Sequence, residues 1–227
     1  MATSSTCSSP RATIESFLTL TEQAARRSSE YRDSPSPDTQ DALWQLTSKA
    51  ERLFDLSQVP LATQPKVADE TFYLLWELLA RIELPDLAAI PDASAYRPVD
   101  GEVVRPSRWR IPGTEIAIAR VEEGPRTGEF LFSPETVRRA PAFYEDARGL
   151  PYLRPMPIEN VYRIHQSMTG WMIPMAWVEA LPGWATEPVL GQVLWKWFAL
   201  LLVFGLACAL SIAVFRWVQR KPWDGSF

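Results

Sequence analysis

Histidine and cysteine are nearly absent from this chain. Among 227 residues there is one histidine, His165, and there are two cysteines: Cys7 in a polar N-terminal tail and Cys208 in a long apolar run. That inventory excludes a structural zinc set, which takes four such ligands, and it offers no disulfide framework from which to read a compartment. Nor does His165 form a nucleophile–base pair. Ser167 follows it by two residues in "VYRIHQSMTG", a helical stretch where that spacing points the side chains apart, and such pairs need hydrogen-bond reach and usually a third, orienting group. Glu122 and Glu123 are neighbours at a strand end and point to opposite faces. The stretch "EEGPRTGEF" lacks the Lys-Ser/Thr and following helix of a phosphate loop, so it reads as a hairpin turn. The sequence therefore predicts no catalytic residue, no cofactor and no metal site: the chain is not expected to be an enzyme.

Basic residues are also scarce where nucleic acid would need them. Residues 1–195 carry 19 Lys+Arg against 26 Asp+Glu, a net of −7, whereas residues 196–227 carry four basic residues and one acid. An acidic front end has nothing with which to neutralise phosphates, so no nucleic-acid partner is expected.

Charge is missing altogether from Trp197 to Phe215, 19 residues dominated by Leu, Ala, Val and Phe. About 20 such residues cross a hydrocarbon core as a helix. Trp195, Trp197 and Trp217, beside Lys196 and Arg216, stand where interfacial anchors belong. A transmembrane helix is thus predicted over residues 195–217, with a tail at 218–227 and the lipid bilayer as its partner. Orientation follows local basic residues. Arg216, Arg220 and Lys221 cluster beyond the span, while Met175–Trp195 contains no Lys or Arg, so the C-terminus is expected in the cytoplasm and the acidic domain outside. Against this, the N-terminus has no basic region followed by an apolar core, hence no visible signal peptide. Either the N-terminal domain crosses unaided or Met1 is not the true start. Inside the span, Gly205, Ala209 and Ala213 recur every fourth residue. Such a small-residue stripe lets membrane helices approach closely, so it is the candidate packing face toward other helices or further copies of the chain.

The rest of the chain reads as mainly α with a small antiparallel β meander. Residues 9–84 give a helical bundle. Its first helix covers 10–32, capped by Ser9 with Pro10 in the first turn, with Ile14, Phe17, Leu18, Ala24 and Ala25 at helical spacing. A second covers about 38–56, with Leu43, Leu46, Ala50, Leu53 and Phe54 on one face. The third covers about 65–82, with Val67, Thr71, Leu74, Leu75, Leu78 and Ile82 inward. Residues 85–106, rich in proline, read as a linker. In 107–158 the alternating pairs Trp109/Ile111, Ile116/Ile118 and Phe130/Phe132, separated by Pro112-Gly113 and Gly124-Pro125, predict two or three strands. A helix follows from Ser133-Pro134 to Gly149, and Pro141 should kink it. Seven of the ten tryptophans lie between 171 and 223, so 159–194 is expected to be broken helical segments along the membrane interface.

Three stretches carry a family resemblance. "SPRATIESFL", "WRIPGTEIAIARVEEGPRTGEFLFSPETVRRAPAFYEDARGLPY" and "MTGWMIPMAWVEALPGW", in that order, resemble the N-terminal extracytoplasmic region of bacterial mechanosensitive ion channels of the small-conductance type. The middle block is the specific one. The resemblance implies a bacterial inner-membrane protein concerned with ion transport and osmotic shock, with channel subunits as partners. It also implies further helices, including a Gly/Ala-rich pore-lining one, beyond Phe227. The sequence is therefore expected to be the front part of such a channel, from a truncated or split reading frame. Pro141 departs from the family pattern. The alternative is a single-pass envelope-anchored binding or scaffold protein.

Overall fold

The structure, a computed structural model, describes residues 7–96, 107–167, 181–186, 188–189 and 192–220. These form two compact units, one running up to His165 and one containing the C-terminal helix. The architecture is mainly α-helical, with a three-stranded antiparallel sheet and one long apolar helix at the end.

Helix α1 (Pro10–Asp33) begins where its cap dictates: the Ser9 hydroxyl accepts the Ala12 N–H at 3.2 Å, and Pro10 has no N–H to lose in the first turn. Its buried residues, from Ile14 and Phe17 to Ala24, Ala25, Ser28 and Tyr31, return every three or four positions. Helix α2 (Pro37–Ala50) opens with a reciprocal box, Ser36 Oγ accepting the Thr39 N–H and Thr39 Oγ1 accepting the Ser36 N–H. The sequence reading carried this helix to Leu56, but it ends at Ala50. A 3-10 turn (Glu51–Leu53) follows, and Phe54 then turns extended. The reason is tertiary: Phe54 bridges in parallel to Phe132, and the Asp55 N–H donates to the Phe132 carbonyl at 3.0 Å.

Helix α3 (Gln64–Arg81) is more deeply enclosed than its periodicity suggests. Every residue from Thr71 to Arg81 is buried, not only the expected inward face. Such a helix is a core element rather than a surface one; both α2 and helix α4 (Pro134–Ala147) pack against it.

Strands β1 (Arg108–Arg110), β2 (Ala117–Arg120) and β3 (Phe130–Phe132) make the predicted meander in the order β1-β2-β3. Trp109 faces Ile118, and Ile118 faces Phe132. Gly113 (φ +73°) supplies the first turn, where an L side chain would be strained. Glu122 and Glu123 are both exposed in the second. Sheet and helices share one core. Phe17 lies 5.4 Å from Phe72 and 5.5 Å from Phe132 between ring centroids, and Phe132 lies 5.7 Å from Phe54. The Thr13 hydroxyl on α1 also donates to the Phe130 carbonyl.

α4 is capped by Ser133, whose hydroxyl accepts the Thr136 N–H, and it runs through Pro141 as one helix. Proline has no N–H, so the Val137 carbonyl loses its helical donor there. Of the predicted linker, residues 85–96 are described, and they are fastened rather than free. Ile90 is fully buried. Arg11 donates to the Ile90 and Ala88 carbonyls at 2.9 Å each and pairs with Asp92 at 3.3 Å. Residues 97–106 lie outside the description.

A short helix α5 (Val161–Ser167) follows. In the second unit a 3-10 turn (Gly183–Thr186) and a hairpin of strands β4 (Pro188–Val189) and β5 (Gln192–Val193) precede helix α6 (Leu194–Arg220). The described part of the expected interfacial segment, 159–194, thus holds the short helix α5, a 3-10 turn and a hairpin. Trp171 and Trp177 lie outside the described residues, as do residues 221–227.

Candidate functional site

Within Leu194–Gln219 of α6, 26 residues, an 18-residue window has a mean hydropathy of 2.7, and none of that window is buried. At 1.5 Å rise per residue it is about 39 Å long, more than the roughly 30 Å hydrocarbon core of a bilayer. Leu200, Leu201, Leu202, Val203, Phe204, Leu206 and Leu210 are each more than half exposed. Covering one such side chain with apolar surroundings is worth about 1.5–3 kcal/mol, so the uncharged middle of the helix, 197–215, demands an apolar medium. A soluble domain followed by one membrane-spanning helix is the architecture that results.

The sequence-predicted anchor residues fall at its ends. Trp197 is partly exposed, and its indole N–H donates to the Val189 carbonyl at 3.1 Å. Trp195 is half-buried, its indole N–H without a partner among the described residues. Arg216 and Trp217 are exposed. Gly205, Ala209 and Ala213 all lie on the exposed helix, and a Cβ at Gly205 would meet nothing within 4 Å. The Ser211 hydroxyl is satisfied inside the helix, donating to the Ala207 carbonyl at 2.8 Å.

A second set of residues escaped the sequence reading. Helix α3 carries Asp69, Tyr73, Glu77 and Arg81 four apart, with Glu70 beside them, and this row holds the chain of residues 150–165 onto the core. The His165 imidazole lies 3.9 Å from the Tyr73 ring in a stacked arrangement, with Nε2 2.8 Å from the Asp69 carboxylate. The Tyr162 hydroxyl donates to Glu70 at 3.1 Å, and the Tyr162 N–H donates to Glu77 at 3.3 Å. The Tyr152 hydroxyl donates to Glu77 at 2.9 Å and accepts the Asn160 N–H at 2.9 Å. Arg81 pairs with Glu77 and lies 3.9 Å above the Tyr152 ring.

Burial keeps the Tyr73 and Tyr152 hydroxyls protonated. Burial, helped by the Asp69 charge, pushes the Tyr73 hydroxyl far above its ordinary range. Burial is also the main cause raising Tyr152, with Glu77 adding to it. Just beyond, the Arg154 guanidinium donates to the Leu79 and Ile82 carbonyls, completing the C-terminal end of α3 with a cation. The signal was present in the sequence as polar side chains at every fourth position of an otherwise apolar helix. Their partners lie 75 to 96 positions later, which local periodicity does not reach.

Compared with protein-family models, with curated proteins and with solved structures, the chain matches none.

Proposed function

We propose that this chain is the extracytoplasmic front part of a mechanosensitive channel-type protein of the bacterial inner membrane, held in the bilayer by α6 with its C-terminus in the cytoplasm. The observation that carries the reading is α6, a helix long and apolar enough to cross a bilayer, with none of its most apolar 18-residue window buried, placed after a soluble domain. The three sequence blocks that resemble the small-conductance channels supply the family. The absence of Lys and Arg from 175–195, against Arg216, Arg220 and Lys221 beyond the span, supplies the orientation. In this role the row on α3 is a fastening. Through it His165, Tyr162 and Tyr152 hold residues 150–165 to the core of the first unit.

α6 does not line an ion path. Pores take polar or charged rings facing water, and Ser211, one of its two weakly polar side chains, bonds its own helix backbone. The stripe Gly205, Ala209 and Ala213 serves close packing against other membrane helices or channel subunits. No enzymatic role is proposed.

Reporter fusions test the topology: one after Phe227 is active only in the cytoplasm, and one near Ser34 only outside. The reversed pattern overturns the orientation. In a strain that keeps its small-conductance channels, expression of the chain is expected to change survival of hypo-osmotic shock, through association with those channels. Unchanged survival with the expected topology would instead favour an envelope-anchored scaffold. Pressure steps on bilayers holding the purified chain are expected to give no discrete currents. Stretch-activated openings abolished by a bulky residue at Gly205 would refute that.

A further inference from the structure

Immediately ahead of α6, the 3-10 turn at 183–186 and the β4–β5 hairpin are tied to the first turn of the helix. The Trp184 ring stands edge-on to the Phe198 ring, 6.2 Å apart at 89°. The Trp197 indole bonds the Val189 carbonyl, so the hairpin and the helix start are joined. Although held, these side chains are not covered. Trp184 is 57% exposed, Val189 40%, Trp197 38% and Phe198 54%. Through the Trp184–Phe198 and Trp197–Val189 contacts these exposed side chains adjoin the start of α6.

Exposed apolar surface of this kind marks a contact site. Several backbone groups of this segment are also paired, which an environment short of water requires. Pro188 has no N–H to satisfy. Strand pairing sets Pro188 against Val193 and Val189 against Gln192. The Ala185 N–H donates to the Pro182 carbonyl at 2.8 Å, and the Trp197 indole occupies the Val189 carbonyl. Tryptophan is the side chain most at home at the level of lipid headgroups, its ring apolar and its N–H wet.

We propose that the 3-10 turn, the hairpin and the first turn of α6 form an apolar foot that rests in the headgroup–acyl boundary of the bilayer, with Trp184 and Val189 as its inserted residues. The proposal relies on α6 spanning the membrane. It adds a second, in-plane contact with lipid, and continuity with the span commits that contact to lipid rather than to protein.

Nitroxide labels on the full chain in phosphatidylcholine–phosphatidylglycerol vesicles test it, since oxygen collides preferentially with labels in the apolar phase and a nickel chelate with those in water. Three positions are compared: the native Cys208 on exposed α6, Val189→Cys with Cys208→Ser, and Trp44→Cys with Cys208→Ser as the aqueous reference. Cys7 is buried and stays unlabelled. The oxygen-to-nickel collision ratio at 189 is expected to be several-fold above that at 44 and below that at 208. Trp184→Glu should return position 189 toward the aqueous value while leaving 208 unchanged. A ratio at 189 equal to that at 44, with 208 still in the apolar phase, overturns the foot and spares the anchor. Shielding of 189 from both colliders shows that protein covers it, a second copy included, and also overturns the foot. An aqueous value at 208 overturns the anchor itself.

Discussion

Glu77 and Arg81 sit one turn apart in the enclosed middle of α3, the first inaccessible to solvent and the second 5% exposed. Removing one member of such a pair leaves a buried charge without compensation and costs about 3–5 kcal/mol. Arg81→Met should therefore lower the urea midpoint of the protein in detergent micelles by that much stability. Replacing both, as Glu77→Leu with Arg81→Met, should recover part of the loss. It should not recover all, because the Tyr152 hydroxyl and the Tyr162 N–H then lose their acceptor, about 1–3 kcal/mol for each group left unsatisfied. Equal midpoints for the single and double variants would show that the pair is not coupled. Sequence alone marks Glu77 as a polar interruption in an apolar helix, but it cannot say that Tyr152 and Tyr162 meet it, because those contacts are made only when the chain returns. Ile90 is similar: inside a proline-rich stretch it reads as linker, and burial against α1, stapled by Arg11, is what gives it a structural place.

Among the elements, those with a complete local signature were legible. α1 has its cap, its proline and its stripe; the meander has alternation and turn glycines; α6 has length and uniform apolarity. α2 was misjudged at its end because Leu53 and Phe54 continue the helical spacing, while pairing with β3 draws Phe54 out of the helix. α4 offers two tests. Pro141 is exposed in mid-helix, so Pro141→Ala restores a backbone hydrogen bond. It should raise stability by about 1–3 kcal/mol, the helix-interior penalty of proline less the entropy it removes from the unfolded chain. An unchanged or lower denaturation midpoint would count against that account. In the first turn of α4, Glu135 has its carboxyl held below its ordinary value of 4.5, chiefly by its own backbone N–H, then by Ser133 and Arg108. A depressed folded value means the stabilisation is present above the ordinary carboxylate range and is lost as pH falls through the lower, folded one. The protection factors of amides in the first turn of α4, which divide out the intrinsic slowing of exchange in acid, should fall as pH drops below the ordinary carboxylate range, and Glu135→Gln should abolish that dependence.

At the scale of the whole molecule, α6 is what ties the chain to the bilayer. An arginine at the centre of a membrane helix costs about 2.5–3.5 kcal/mol of insertion, so Leu206→Arg should sharply reduce the carbonate-resistant membrane fraction. Leu61→Arg, at a position already 83% exposed in the first unit, should leave it unaltered; equal extraction of both would contradict a span. The enclosure of α3 also has a consequence in time. Its wrapping arrives late, since Tyr152 and Tyr162 follow Glu77 by 75 and 85 positions along the chain. A polypeptide made or threaded from its N-terminus therefore carries α3 half-dressed, with Glu77 and Arg81 facing water, until residues 150–165 emerge. Contacts so distant in sequence form slowly, and the apolar stretch beginning at Leu194 comes only about 30 residues behind them. The last residues the domain needs in order to close and the first residues of its anchor thus become available almost together, so ripening of the fold and entry into the membrane compete within one interval of the protein's birth.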